Sequence, residues 1–135
     1  MKKDLLRIID ANLNRSREGL RVCEEISRFL LENSNLTVEF KNLRQRVSKT
    51  IRRIPGKLGI LLESRNSLSD VGKGFKGLHR RKDYQDIFYA NIQRVKESIR
   101  VLEEFSNIFN PSLSKDFTKL RFKVYNLEKR TIARF

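Results

Sequence analysis

Residues 11–30 read ANLNRSREGLRVCEEISRFL, and residues 90–109, at an offset of 79, read ANIQRVKESIRVLEEFSNIF. Asn12, Arg15, Glu18, Arg21, Glu24 and Glu25 recur as Asn91, Arg94, Glu97, Arg100, Glu103 and Glu104. A repeat this long in a chain of 135 residues restricts the fold to something built twice. Wound as a helix, each copy carries a stripe at alternating steps of three and four. The first is Leu5, Ile8, Asn12, Arg15, Gly19, Val22, Ile26 and Phe29; the second is Tyr84, Ile87, Asn91, Arg94, Ser98, Val101, Phe105 and Ile108. Such a stripe faces a partner helix and is normally apolar throughout. Here both are interrupted in the middle by Asn, Arg and a small residue. A buried arginine carries a desolvation penalty unless it is paired, and glycine inside a helix costs roughly 1 kcal/mol relative to alanine. An expensive interruption that occurs twice in register reads as a site.

The remaining helices follow from caps and breakers. Asp4 is an N-cap candidate for a first helix reaching about residue 32, followed by the turn-like Asn33-Ser34-Asn35. A second helix aligns Leu36, Phe40, Leu43, Val47 and Ile51 or Ile54, and Pro55-Gly56 ends it. Asp83 can cap the third helix, and Asn110-Pro111-Ser112 opens a fourth with Leu113, Phe117, Leu120, Val124 and Leu127 on one face. The second and fourth helices match each other, so the repeating unit is a helical hairpin. Neither hairpin can bury its face alone. The expected fold is all-α, a four-helix bundle of two pseudo-symmetric hairpins in one domain, with repeat one over residues 4–54, a connector over 55–82 and repeat two over 83–135. No strand is expected, and the apolar run 58–62 reads as a helical turn or two. If both hairpins point the same way, the two polar layers meet at one end, beneath the connector.

Thirty Lys and Arg against sixteen Asp and Glu give a net charge of +14, which attracts an anionic partner. The cations are spread along the chain, and no motif supports nucleic-acid binding. The single cysteine, Cys23, excludes an intramolecular disulfide and a cysteine zinc cage and reads as a small buried hydrophobe. There is no membrane-length apolar run and no signal-peptide pattern, so the expectation is a soluble cytoplasmic protein with no membrane partner. The connector contains Gly72, Gly74 and Gly77 in a G-x-G-x-x-G spacing, but no strand precedes it. With Lys73 and Lys76 it reads as a lid, and the lone His79 as surface or lid.

Two asparagines and two arginines related by pseudo-symmetry suit a planar polar ligand bearing an anionic group. Arginine offers a fork for phosphate or carboxylate, and asparagine offers both a donor and an acceptor. Glu18 and Glu97, one turn beyond, are placed to orient the arginines, or with Asp70 or Glu25 and Glu104 to hold magnesium between phosphates. The alternative for Arg15–Glu18 and Arg94–Glu97 is a pair of internal salt bridges that set register. Arg21, Glu24, Arg100 and Glu103 read as a solvated face with local ion pairs.

Three ordered motifs, ANLNRSREGLRVCEEISRF, SRNSLSDVG and ANIQRVKESIRVLEEF, together resemble a helical hydroxymethylpyrimidine-phosphate kinase domain of thiamine biosynthesis. This type is often fused ahead of thiamine-phosphate synthase, and the resemblance covers nearly the whole chain. It implies phosphorylation of hydroxymethylpyrimidine phosphate to the diphosphate, with ATP and Mg2+ as cofactors and thiamine-phosphate synthase as a partner. It implies substrate or phosphate binding by Asn12, Arg15, Arg65, Asn91 and Arg94, and catalytic roles for Asp70, Glu18 and Glu97, with the metal ligands unassigned. Asn66 departs from the pattern, which has an acidic residue there. Oligomeric state is left open. The competing classes are a nucleic-acid-binding domain, a structural or partner-binding basic bundle, and another arginine-based enzyme such as a mutase acting on a dicarboxylate.

Overall fold

The computed structural model describes residues 2–54, 70–72 and 80–135. Helix α1 spans Lys2–Glu25 and continues into a π-helical turn, Ile26–Leu30. Asp4 therefore stands in the first turn of α1, where its charge favours the helix N-terminus, and does not cap it. Glu32 takes a left-handed backbone with φ of 49°, which reverses the chain. Asn33 then caps α2, Ser34–Thr50, by accepting from the Leu36 amide at 3.0 Å. One 3-10 turn, Ile51–Arg53, follows. Asp83 caps α3, Tyr84–Ser106, through the Asp86 amide at 2.8 Å. Asn110 caps α4, Pro111–Ile132, through the Leu113 amide at 3.1 Å. Pro111 sits in the first turn, where its missing N–H costs nothing. The described residues thus form an all-α bundle with no strand.

On α2 and α4 the expected faces are the buried ones: Leu36, Phe40, Leu43 and Val47, with Ile54 beyond, and Leu113, Phe117, Leu120, Val124 and Leu127. On α1 and α3 the buried line is shifted. It runs through Leu6, Ile9, Leu13, Ser16, Leu20, Cys23 and Ser27 on α1 and Phe88, Ile92, Val95, Ile99, Leu102 and Ser106 on α3. The stripe read from Leu5 is the edge of this core. Asn12, Gly19 and Ile26 on it are buried, but Arg15 is exposed and Phe29 is 60% exposed; on the second stripe Arg94 is exposed, and Ile108, just past α3, is 64% exposed. Serines on the true core line conceal it from a hydropathy pattern. They are accommodated because Ser16, Ser27 and Ser106 donate to carbonyls of their own helices and Ser98 bonds across to Ser16.

Helices α1 and α3 are antiparallel. Ser16 Oγ meets Ser98 Oγ at 2.7 Å, and Gly19 lies against the Asn91 carbonyl and Val95. The rings of Phe40 and Phe88, 6.3 Å apart, bring the starts of α2 and α3 to one end, where Phe135 also packs on Phe88 at 5.3 Å. At the other end Arg53, just past α2, pairs with Asp116 in the first turns of α4. The hairpins therefore point in opposite directions, and α2 ends where α3 does not begin. This corrects the expectation of two polar layers meeting at one end. The pseudo-two-fold axis runs perpendicular to the α1–α3 pair, so it reverses one hairpin relative to the other. The 24 residues of α1 make it about 36 Å long, so the segment joining α2 to α3 has a comparable length to cover. That is the physical reason it exceeds a bundle turn. The expected lid residues Lys73, Lys76 and His79, the run 58–62, Arg65 and Asn66 lie outside the described residues. Among those described, no helix is long and apolar enough to cross a membrane.

Candidate functional site

The two asparagines are fixed in the same way. Asn12 Nδ2 donates to the Ile8 carbonyl at 2.8 Å, and Asn91 Nδ2 donates to the Ile87 carbonyl at 2.8 Å. Each amide thereby leaves its Oδ1 as an acceptor, and at Asn12, which is buried, that oxygen receives a long contact from Arg15 Nη1 at 3.5 Å. Arg15 and Arg94 are exposed, and neither forms an ion pair among the described residues. The proposed Arg15–Glu18 and Arg94–Glu97 salt bridges are therefore absent among those residues, and these arginines do not set the register of the bundle.

Register is held by a different duplicated pair. Glu24 is buried and accepts from Arg44 Nε at 3.1 Å, linking α1 to α2. Glu103 accepts from Arg121 Nε at 2.8 Å and Thr118 Oγ1 at 2.8 Å, linking α3 to α4. This corrects the reading of Glu24 and Glu103 as parts of a solvated face; only Arg21 and Arg100 are exposed there. The side chain needed to recognise this, Arg44 or Arg121, sits on the other helix of each hairpin, so local spacing could not reveal it. Burial alone would raise the Glu103 carboxyl, but hydrogen bonds from Arg121 and Thr118 and the charges of Arg121 and Arg100 hold it below the ordinary carboxylate range. The same hydrogen bond, with one to Tyr125, raises Arg121.

These ion pairs also orient the asparagine–arginine sets. Arg15 lies nine residues before Glu24, or two and a half turns, and so faces the opposite side of α1 from α2. Arg94 stands in the same relation to Glu103 and α4. Because the pseudo-two-fold is perpendicular to the α1–α3 pair, both arginines lie on one outer face of that pair, away from α2 and α4. From the Ser16–Ser98 crossing, Arg15 and Arg94 are separated by about 7 Å along the helix axes and Asn12 and Asn91 by about 16 Å. The structure thus brings the two sets onto one face, staggered about the crossing.

The acidic residues are less collected. Glu18 lines a shallow cleft with Asn14, Arg17, Arg21 and Arg44. Glu97 accepts from Gln93 Nε2 at 3.0 Å and lines the pseudo-equivalent cleft with Lys96, Arg100 and Arg121. Asp70 is exposed, and its Oδ1 accepts from the Gly72 amide at 2.9 Å. Glu25 and Glu104 are paired with Arg21 at 3.1 Å and Arg100 at 2.9 Å. Among the described residues no group of three His, Cys, Asp or Glu side chains is placed to hold a metal. Cys23 is buried, and burial pushes its thiol well above the ordinary range, so it is a packing residue. What sequence reasoning missed is the crossing itself. Ser16 was not singled out, and the only signal was the small residues at positions 16, 19 and 98.

The profile of the ThiD2 family matches residues 7–130 of the chain. Thiamine-phosphate synthase of Prochlorococcus marinus is 42% identical over 123 residues, covering 90% of this chain and 33% of that protein. The thiamine-phosphate synthase of Synechocystis is 40% identical over 126 residues, covering 92% of this chain and 35% of its own length, and that of Nostoc punctiforme is 38% identical over 129 residues, covering 90% and 34%. The chain spans about a third of the length of these curated relatives. No solved structure matches it.

Proposed function

The chain belongs to the ThiD2 family, and from that premise we propose that it is a kinase of thiamine biosynthesis, transferring the terminal phosphoryl group of ATP to hydroxymethylpyrimidine phosphate. The products are the pyrimidine diphosphate and ADP. The observation that carries this reading is the pair of solvent-facing arginines, Arg15 and Arg94, each free of a carboxylate partner among the described residues and each one turn from an asparagine whose Nδ2 is fixed on its own helix.

In this reading Arg15 and Arg94 hold phosphate oxygens, which suits a reaction whose catalysis is mainly positioning and charge stabilisation. Asn12 and Asn91 offer acceptors to an amino group on the pyrimidine, and Arg65 adds a phosphate contact. Magnesium is commonly bound through substrate phosphates and one or two carboxylates, not by a protein cage. Exposed Glu18, Glu97 and Asp70 fit that requirement even though they form no cluster of their own. The ion would neutralise charge between the phosphates. In the same reading Glu18 and Glu97 orient side chains of the face, and Asp70 accepts a proton. Thiamine-phosphate synthase, the name carried by the longer relatives, is the proposed consumer of the product and a proposed partner.

The test is ADP release with hydroxymethylpyrimidine phosphate as acceptor, measured on Arg15→Met and Arg94→Met. Both positions are exposed, so the variants should keep the parent's helical circular dichroism. Each should lose about 100-fold in kcat/KM, the scale of one preorganised charge contact to a transition state. Full turnover in both variants overturns the assignment of the face.

A further inference from the structure

A cavity of about 650 Å³ lies between α2 and α4, on the side of the bundle opposite Arg15 and Arg94. The two helices are tied at both ends. Arg130 binds Glu39 through both carboxylate oxygens, at 2.7 and 2.6 Å, at one end, and Arg53 binds Asp116 at the other. Between these clamps the helices leave a groove floored by Leu43 and Leu127. Its volume is in the range of small-ligand sites.

What distinguishes this groove from the two shallow clefts is the state of its cations. In the clefts Arg21, Arg44, Lys96, Arg100 and Arg121 are engaged with glutamates, and only Arg17 carries no ion pair among the described residues. In the groove Arg46, Lys49 and Lys123 carry no ion pair among the described residues, and Asn42 and Asn126 make no side-chain hydrogen bond there. Phe122 presents a ring that is 60% exposed on the same wall, with Arg121 over it at 5.3 Å and the tilted ring of Tyr125 at 6.1 Å. Three uncommitted cations, amides, an apolar floor and a fixed aromatic ring form a set that recognises a heterocycle bearing phosphate. Cations meet the phosphate, the ring and floor take the base by stacking, and amides read its polar edge.

We propose that the α2–α4 groove is a second ligand site, which binds a nucleotide-class anion on the face opposite the asparagine–arginine sets. The two helix layers put it about 20 Å from those sets, too far for a ligand here to exchange a group with one there. The groove is therefore a regulatory or carrier site and does not depend on the kinase reading.

The experiment is isothermal titration calorimetry on the whole chain carrying Arg15→Met, Arg65→Met and Arg94→Met, so that the opposite face loses the phosphate contacts assigned to it. The probes are ATP, adenosine, inorganic tripolyphosphate and a thymidine dodecamer. ATP should bind more tightly than tripolyphosphate or adenosine. Adding Lys49→Glu and Lys123→Glu should weaken ATP at least tenfold. Phe122→Ala should weaken ATP several-fold and leave tripolyphosphate unchanged. Lys49, Lys123 and Phe122 are exposed, and circular dichroism verifies the fold. ATP binding untouched by the groove substitutions overturns the proposal. So does a dodecamer that binds more tightly than ATP and is lost with the same charges, which would make the face a nucleic-acid surface. Kinase turnover of the Lys49→Glu/Lys123→Glu chain with arginines 15, 65 and 94 intact reads the other face separately.

Discussion

At Gly19 the two repeats approach each other closely. A Cβ there would stand 2.6 Å from Val95 Cγ2 and 3.0 Å from the Asn91 carbonyl oxygen. Helix propensity alone predicts that Gly19→Ala stabilises by about 1 kcal/mol. The contact works against this, because Val95 is a buried β-branched side chain with little room to turn. Overpacking typically costs about 1–3 kcal/mol, so the expected net effect is a loss of about 1 kcal/mol. Thermal unfolding should show Gly19→Ala melting a few degrees below the parent and Gly19→Ala/Val95→Ala falling short of the sum of the single effects. A melting temperature above the parent's for Gly19→Ala would mean that α1 and α3 do not approach so closely.

At the scale of the elements, each hairpin is joined by one carboxylate–arginine bridge, and the second is the more fully bonded. Glu103 takes Arg121 at 2.8 Å and Thr118 at 2.8 Å and lies within 3.8 Å of Arg100. Its carboxyl is held below the ordinary range, so the charged form is favoured in the folded state. The stabilisation is complete above the unfolded carboxylate range, near pH 4.3 for glutamate, and is lost as pH falls through the lowered folded value. Glu103→Gln should therefore cost about 2 kcal/mol at pH 7, on the scale of hydrogen bonds to a charged group. The gap between parent and variant should close progressively below pH 4. Urea unfolding at pH 7, 5 and 3 measures this; a gap independent of pH would show that the charge of Glu103 is immaterial.

For the whole molecule the dominant electrostatic fact is the net charge of +14. The nine ion pairs among the described residues leave a large surplus of cations to repel one another across the compact state. Raising sodium chloride from 0.01 to 0.3 M shortens the screening length from about 30 Å to under 10 Å. The melting temperature should rise over that interval, because relief of long-range repulsion outweighs the loss of exposed pairs worth about 0–1 kcal/mol each. A falling melting temperature would instead mean that the surface pairs dominate.

The duplication, the helical class and the faces of α2 and α4 were legible in the sequence because each is a local pattern. Asp83 and Asn110 announce their helices through bonds spanning three residues, and Leu36 through Val47 and Leu113 through Leu127 repeat at helical spacing; Asn33 reads only as part of a turn, and the structure shows it to be a cap. The duplicated Asn and Arg were legible for the same reason. Tertiary structure decided which of two adjacent apolar lines on α1 faces the core, since Leu5-Ile8 and Leu6-Ile9 are equivalent until Ser16 is seen against Ser98. It also decided that Glu24 and Glu103 are interhelical, because their partners lie 20 and 18 residues away. Above all it decided that the hairpins are antiparallel. A sequence repeat specifies that two units are alike but not which symmetry relates them or how its axis is oriented. That orientation follows from the close approach at Gly19 and Ser16, where small residues let α1 and α3 cross, and it places Arg15 and Arg94 on one shared outer face.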